Sequence, residues 1–497
     1  MRRSFPGWRV AFAMLALGAA MAAGLAPLGW WWAALPALSA ALRLMRATTP
    51  GQTAWAGWLL GVGYFGAGLN WIVEPFMVDA ASYGWMAPFA LVLMAGGLAL
   101  FWALGFGIGA RFPRRGLGLV AGLTATEFLR GYVLTGFPWA LPGHMWIGTP
   151  LAQVDALVGP FGLTLLTLLA ASLGSALTAR AVACGAALVA AGWGYGLWAL
   201  SQPDPAPPGV TLRLVQPDAA QDAKWDAGHA QLFFDRLMKA TAAPPGPLGK
   251  PDLVIWPETA LPYLVEDDPA LPAMIAAAAG GAPVAVGLQR VERSGGDVRG
   301  FNSLHVFGAG GALLAAYDKH HLVPFGEYLP FGDLAFDWFG IEAFAARTGH
   351  AYSAGRGPAL LNLGPVLGKV LPLICYEAVF PQDLRGTDRP DWLLQITNDA
   401  WFGTLSGPFQ HADQARLRAI EQGLPLVRVG NTGVTEVLDA RGRVTTALPF
   451  GSEGYLDALL PGSLAAPPYA RFAEIPALLL LAGCGFLAMR RRSFGSA

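Results

Sequence analysis

The sequence is poor in charged residues and in cysteine. Only 13% of its 497 residues are Asp, Glu, Lys or Arg, whereas 54% are hydrophobic, and an average soluble domain carries about twice that share of charge. The 33 basic residues balance the 33 acidic ones, and no basic patch with interleaved aromatic residues predicts nucleic-acid binding. Three cysteines without zinc-type spacing exclude a structural zinc module. The low share of charged residues and the high share of hydrophobic residues favour a membrane protein.

Seven long apolar runs fill the first two hundred residues. Each approaches the roughly 20 residues that a membrane-spanning helix needs, and they lie at 10–27, 28–44, 54–75, 83–110, 117–134, 157–179 and 181–200. A last run at 475–489 is short for a span but ends in three arginines, and we interpret it as an eighth helix. The N-terminal Met-Arg-Arg before an apolar run also fits a secretory signal, but the directly following spans favour a retained helix.

A polar, proline-rich linker at 202–208 separates these spans from a different kind of sequence. Beyond it, short strand-like runs alternate with helix-like ones, which is typical of a layered α/β domain. The candidate strands lie at 211–215, 253–256, 284–288, 304–307, 370–374, 393–397 and 426–429. The sequence thus predicts a bundle of about seven transmembrane helices at 1–200, an α/β catalytic domain at 205–464 and a C-terminal transmembrane helix at 472–490.

Basic residues mark alternate ends of the predicted spans. They occur before the first span, near 43–46, at 111–115, at 180 and at 490–492, whereas the loops 76–82 and 135–156 contain neither Lys nor Arg. Because short basic loops stay in the cytoplasm, we predict cytoplasmic termini. An odd number of spans then places the α/β domain outside the cytoplasm.

Three segments of the α/β domain carry an ionisable residue at the end of a strand-like run. They are Trp-Pro-Glu at Glu258, Tyr-Asp-Lys at Lys319 and Leu-Ile-Cys at Cys375, and layered α/β folds build their sites at strand ends. Cys184 and Cys484 fall in predicted spans, so Cys375 has no disulfide partner in its domain. A general base, an ammonium and a thiol are the groups that acyl transfer needs, although an inert buried thiol remains the alternative.

These motifs resemble, in order, the Glu-Lys-Cys signature of the carbon-nitrogen hydrolase (nitrilase) superfamily. They read Trp-Pro-Glu, then Lys-x-x-Leu-Val-Pro-Phe-Gly-Glu-Tyr, then Ile-Cys-Tyr-Glu. With its membrane spans, the whole chain is similar to the apolipoprotein N-acyltransferase family. The resemblance implies an αββα sandwich and a two-step reaction. A phospholipid acyl chain first forms a thioester on the cysteine, and then moves to the α-amino group of a lipoprotein's diacylglyceryl-cysteine.

The same resemblance assigns roles to particular residues and a location to the protein. It places the catalytic triad on Glu258, Lys319 and Cys375, and a supporting glutamate on Glu327, for which an ordinary surface ion pair is the alternative. Three further positions match the family: Tyr376, Glu377 and Trp225. The resemblance also implies no metal or organic cofactor, a monomer in the bacterial inner membrane, and a catalytic domain on the periplasmic side.

Two other features lead to expectations. The stretch 331–344 is rich in large apolar residues, and we expect it either to dip into the outer leaflet, admitting acyl chains to Cys375, or to be buried in the domain's core. Glu127 and Arg130 are three residues apart in one predicted span, where we expect them to pair.

Two functions compete with lipoprotein acylation. A membrane-tethered amidase or nitrilase would use the same triad with water as acceptor, but eight spans are excessive for a tether. A non-enzymatic membrane scaffold or transporter would leave the ordered Glu258, Lys319 and Cys375 set without a purpose.

Overall fold

The chain forms two compact units. A computed structural model describes residues 7–221, 224, 227–261, 263–294, 297–328, 352–385 and 388–490. The first unit, here called the helical unit, comprises Met1–Pro203, Phe402–Gly423 and Ala465–Ala497. The second, the sheet unit, comprises Asp204–Trp401 and Leu424–Leu464. The structure differs from the predicted domain 205–464 at Phe402–Gly423, which groups with the helices.

A helix lies in each of the eight apolar runs. The α-helices described in the helical unit are α1 (Trp8–Ala22), α2 (Trp31–Met45), α3 (Pro50–Gly68), α4 (Glu74–Met77), α5 (Ala80–Tyr83), α6 (Ala87–Gly109), α7 (Arg115–Tyr132), α8 (Asp155–Gly174), α9 (Ala179–Leu200), α13 (Gly407–Gln422), α14 (Pro468–Phe472) and α15 (Ile475–Met489). Local signals set several ends. Thr49 and Gln52 form a reciprocal capping box before α3, and Gly423 ends α13 at φ 61°.

Part of the helical unit is long and apolar enough to cross a membrane. Four described stretches meet that requirement: Ala80–Gly109, Arg115–Thr135, Pro150–Gly174 and Ala179–Leu200. Pro50–Gly68 and Asn70–Met77, bent by 64°, make a fifth if the two helices form one span. Trp8–Ala22 and Ile475–Met489 are apolar but shorter. The chain therefore has the helices of a membrane protein.

Small residues let these helices approach closely, as is common between membrane helices. A Cβ atom added at Gly18 of α1 would lie 2.1 Å from the Leu60 carbonyl oxygen of α3. One added at Gly122 of α7 would lie 2.1 Å from the Gly105 oxygen of α6. Alanine at either position would push the backbones apart.

The predicted pair of charges within α7 is confirmed. Arg130 lies 2.5 Å from Glu127, and both side chains are almost fully buried. Trp102 donates to Glu127 at 2.7 Å, and Arg130 donates to the Trp139 carbonyl oxygen at 2.8 Å. The pair is thus satisfied by its surroundings as well as by itself.

The sheet unit contains two six-stranded sheets that pack against each other through β1 and β9 and through β4 and β7. The strands are β1 (Thr211–Gln216), β2 (Leu253–Ile255), β3 (Val284–Ser294), β4 (Asp297–Phe307), β5 (Leu313–Asp318), β6 (Leu361–Asn362), β7 (Lys369–Ile374), β8 (Trp392–Thr397), β9 (Leu426–Gly430), β10 (Glu436–Leu438), β11 (Val444–Ala447) and β12 (Gly454–Leu459). Their orders are β12-β1-β2-β3-β4-β5 and β11-β10-β9-β8-β7-β6.

The middle of each sheet is parallel, since β1 pairs with β2, β2 with β3, and β7 through β9 run side by side in one direction. Strands buried on both faces tend to read as apolar runs, which explains why the predicted parallel strands are present. The remaining predicted strand, 304–307, lies in the antiparallel β4. Their carboxyl ends come together at one edge of each sheet, where site residues follow.

Helices α10 (Ala227–Thr241) and α11 (Leu271–Ala278) cover one face of the first sheet. The layer between is apolar, and Trp256 is fully buried there while donating from Nε1 to the Thr241 hydroxyl at 2.8 Å. The only other α-helix among the described residues of this unit is the short α12 (Gly364–Leu367), because α13 belongs to the helical unit. Two sheets and one helical layer therefore make up the sheet unit as described.

Candidate active site

Cys375 sits at a sharp change of backbone direction. It follows β7 directly, begins a short 3-10 helix (Cys375–Val379), and has φ 52°, a left-handed conformation that a non-glycine residue adopts only when its surroundings hold it. Its side chain is buried. Burial and the nearby Glu258 raise the pKa of the thiol well above its usual value, although Lys319 opposes the shift. The resting side chain is therefore a thiol.

Lys319 and two glutamates form a buried charged group around this thiol. Lys319 follows β5, and its Nζ lies 2.9 Å from Oε1 of Glu327 and 3.6 Å from Oε1 of Glu258. Burial disfavours the ammonium, but the carboxylates of Glu327 and Glu258 raise the pKa of Lys319 above its usual value. The ammonium therefore stays charged beside the sulfur.

Each carboxylate is fixed by hydrogen bonds. The side-chain amide of Asn302 donates to Oε1 of Glu258 at 2.7 Å and to Oε1 of Glu327 at 3.2 Å. The backbone N–H of Asn398 donates to Oε2 of Glu258 at 2.7 Å, and that of Val323 donates to Oε2 of Glu327 at 2.8 Å. These donors fix the positions of both carboxylates beside Lys319.

A third acidic residue, Glu377, supports the turn that carries Cys375. Glu377, completely buried, accepts from the backbone N–H of Ile374 at 2.7 Å, from the Tyr317 hydroxyl at 2.8 Å and from the backbone N–H of His320 at 2.8 Å. It joins the end of β5 to the end of β7. Tyr376 is buried too and contacts the His321 ring edge to face.

One described group has the composition of a metal site. The ligand atoms of His320, His321 and Asp383 lie within 4.8 Å of one another, and imidazole with carboxylate suits a transition metal. These side chains already have protein partners, because His321 Nδ1 lies 2.8 Å from Asp383 and His320 Nδ1 lies 2.6 Å from Glu377. The three side chains therefore form a hydrogen-bonded group that contacts Glu377 through His320.

Family models match almost the whole chain. The model described as the apolipoprotein N-acyltransferase N-terminal domain matches residues 17–173, and the carbon-nitrogen hydrolase model matches residues 212–467. An apolipoprotein N-acyltransferase from Caulobacter vibrioides is 42% identical, with 88% of this chain and 86% of the relative covered. One from Rhodopseudomonas palustris is 37% identical, with 98% and 96% covered.

The chain belongs to the apolipoprotein N-acyltransferase family. The predicted family and the predicted class of enzyme, an N-acyltransferase built on a carbon-nitrogen hydrolase domain, are confirmed. The carbon-nitrogen hydrolase family model covers both sheets almost completely, so the sheet unit has a nitrilase-like fold.

Solved structures similar to the chain are amidases and nitrilase-superfamily proteins. An amidase from Nesterenkonia sp. AN1 is 18% identical, with 56% of this chain and 98% of the amidase covered and a TM-score of 0.35. Nit3 from Saccharomyces cerevisiae is 19% identical, with 55% and 93% covered and a TM-score of 0.36.

The structure brings Glu258, Lys319, Glu327 and Cys375 together, with Tyr376 and Glu377 directly after Cys375. Trp225 and the apolar stretch 331–344 lie outside the described residues, so their predicted parts in this acyltransferase stay predictions. Sequence reasoning gave no role to Lys224, which is buried and donates from Nζ to Oγ1 of Thr259 at 2.8 Å. Burial lowers the pKa of Lys224 to about 8 despite the opposing charge of Glu258. In the sequence, Lys224 is distinguished only by its position after a short polar segment.

Proposed function

We propose that this family member transfers an acyl chain from a phospholipid to the α-amino group of a lipoprotein's N-terminal diacylglyceryl-cysteine, the last step of lipoprotein maturation. The acyl chain is carried between the two substrates as a thioester on Cys375. One observation supports this most directly: a buried thiol at a strained turn is surrounded by one ammonium and two hydrogen-bonded carboxylates. No organic cofactor or metal is required for this chemistry.

In the first half-reaction, Cys375 attacks the ester carbonyl of the phospholipid. Because burial keeps the thiol protonated, the proton must leave as the carbon–sulfur bond forms, and Glu258 is the base that receives it. Lys319 stabilises the negative charge that develops on the carbonyl oxygen. When the ester bond breaks, Glu258 returns the proton to the leaving alkoxide, which departs as lysophospholipid.

In the second half-reaction, the free amine of the lipoprotein attacks the thioester carbonyl. Glu258 takes a proton from the attacking nitrogen, the carbon–sulfur bond breaks, and Cys375 recovers that proton as a thiol. The products are an amide on the lipoprotein and a free enzyme. Glu327 holds the Lys319 ammonium in place through both steps, at 2.9 Å. A backbone donor such as the N–H of Tyr376 shares the oxyanion.

The proposal includes a location. It places eight spans in a bacterial inner membrane, both termini in the cytoplasm and the sheet unit in the periplasm, working as a monomer. Alternating basic loops support this orientation, and a Cys375 that forms no disulfide in an exported domain supports a thiol kept for chemistry. The 331–344 stretch, rich in aromatic and aliphatic residues, is proposed to admit acyl chains from the outer leaflet.

The test uses the full-length protein in detergent. Incubation with phospholipid alone should add the mass of one acyl group to the peptide that contains Cys375, and later addition of a diacylated lipopeptide should remove it and yield the triacylated peptide. Cys375→Ala should show no adduct, whereas Cys184→Ser, an exposed cysteine of α9, should behave as wild type.

Other results would reject the proposal. Loss of the adduct in plain buffer without a triacylated product would instead support an amidase that uses water as acceptor. A wild-type protein that never gains the adduct would support a scaffold.

A further inference from the structure

The strand beside the nucleophile ends on a hydroxyl that the mechanism above does not use. In the parallel pair of β7 and β8, Ile374 lies opposite Ile396, so the residues that follow them, Cys375 and Thr397, lie side by side. Thr397 is fully buried. Burial raises the pKa of Cys375, and a hydrogen bond from the Thr397 side chain works in the opposite direction.

The Thr397 hydroxyl has a second neighbour, because its Oγ1 lies 3.0 Å from Oδ1 of Asp399. A hydroxyl has one proton to donate and lone pairs to accept with. While Cys375 is a thiol, the hydroxyl donates to Asp399 and its lone pairs face the sulfur. When the sulfur becomes anionic, rotation about one bond turns the same proton to the sulfur.

Asp399 tolerates this rotation because it keeps other partners. Its Oδ2 lies 2.6 Å from Nη2 of Arg428, with both side chains completely buried, and also accepts from the Val434 backbone N–H at 3.3 Å. Turning the Thr397 hydroxyl therefore does not leave an unpaired buried carboxylate.

The same guanidinium also holds the backbone of the nucleophile. Arg428 donates from Nη1 to the side-chain oxygen of Gln395, and Gln395 donates from Nε2 to the carbonyl oxygen of Cys375 at 3.1 Å. Arg428 thus fixes, through Gln395, the strained peptide at φ 52° and, through Asp399, the hydroxyl beside the sulfur.

We propose that Thr397 is a further catalytic residue whose hydroxyl donates to the Cys375 sulfur each time that sulfur carries negative charge. This occurs when Glu258 takes the thiol proton and again when the thioester breaks, and the proton of Thr397 never leaves its oxygen. Arg428, Asp399 and Gln395 are positioning residues. The inference rests on the proposed role of Cys375 as nucleophile.

Alkylation of Cys375 by iodoacetamide tests the inference without any lipid. The rate is followed between pH 6 and 10 by mass spectrometry of the Cys375 peptide, in wild type, Thr397→Val and Thr397→Ser. Below the thiol pKa the rate follows the thiolate fraction, so Thr397→Val should be about tenfold slower at pH 7.5, the effect of one hydrogen bond to a charged group. Thr397→Ser keeps the hydroxyl and should restore the rate to within about threefold of wild type.

Thr211→Val is the matched control. Thr211 is a buried β1 threonine whose hydroxyl bonds the Leu248 carbonyl oxygen at 3.3 Å, and its variant should alkylate as wild type does. Should Thr397→Val fail to fold, Thr397→Ala replaces it with the same expected tenfold loss. Alkylation needs no acyl donor. If the wild-type protein formed no acyl adduct, the proposed function would be rejected, but the alkylation rates of wild type and Thr397→Val could still be compared. Alkylation of Thr397→Val at the wild-type rate and with the wild-type pH profile would overturn the inference.

Discussion

Asn302 donates its side-chain N–H to Glu258 at 2.7 Å, within a site where both residues are buried. The amide thus holds the carboxylate of Glu258, the proposed base, by a neutral donor. A neutral donor fixes the position of a carboxylate without adding a second cation that would compete with Lys319 for it.

Replacing Asn302 by leucine should slow acyl-enzyme formation about a hundredfold, because Glu258 loses a donor and is no longer held toward the sulfur. The rate of acyl adduct formation on Cys375 measures this. Asn362→Leu, at an exposed asparagine of β6, is the control. A wild-type rate for folded Asn302→Leu would show that the amide does not position the base.

His320 should make stability depend on pH. Burial opposes its charge, but Asp383 and Glu377 raise its pKa from 6.5 to about 9. A raised pKa means that the folded chain holds the proton more tightly. The stabilisation is therefore complete below pH 6.5 and is lost as the pH rises towards 9.

The measurement compares wild type with His320→Gln in unfolding experiments at pH 6 and pH 9, with a chelator present. The difference in unfolding free energy should be large at pH 6 and small at pH 9. His229→Gln, an exposed histidine of α10, controls for the loss of an imidazole. A difference that does not change with pH would contradict the assignment.

The charges within α7 predict non-additive stability effects. Glu127→Leu leaves the Arg130 guanidinium buried without its carboxylate and should cost about 3–5 kcal/mol of unfolding free energy. Adding Arg130→Met should recover most of the loss, because an apolar pair suits the same space. Thermal unfolding in detergent of the two single variants and the double variant tests this, and simple addition of the two losses would refute it.

Strong local patterns predicted much of the fold. The parallel strands β1, β2, β3, β7, β8 and β9 contain short apolar runs that mark them in the sequence, and each of the eight apolar stretches contains a helix. The short strands β6 and β10 to β12 were not predicted, because runs of two to six residues resemble loops in sequence. Whether 402–423 packs with sheets or with helices depends on tertiary contacts that no local pattern encodes.

The site was predictable where motifs mark it. Glu258, Lys319, Glu327 and Cys375 each follow a recognisable run, whereas Thr397 does not stand out. A threonine at the end of an apolar strand is common, and only the register of β8 against β7 shows that this one lies beside the sulfur. Strand pairing is long-range information, so the sequence alone could not reveal it.

Helix α13 limits which fragments of this protein can be expected to fold alone. The helix belongs to the helical unit, while its flanking strands, β8 and β9, belong to the sheet unit. The chain therefore passes from one unit to the other four times, at 203–204, 401–402, 423–424 and 464–465. A recombinant fragment cut at 204 and 464 would keep α13 without the helices that bury Leu417 and other residues of its inner face. We expect such a fragment to expose this apolar surface and to aggregate in the absence of detergent.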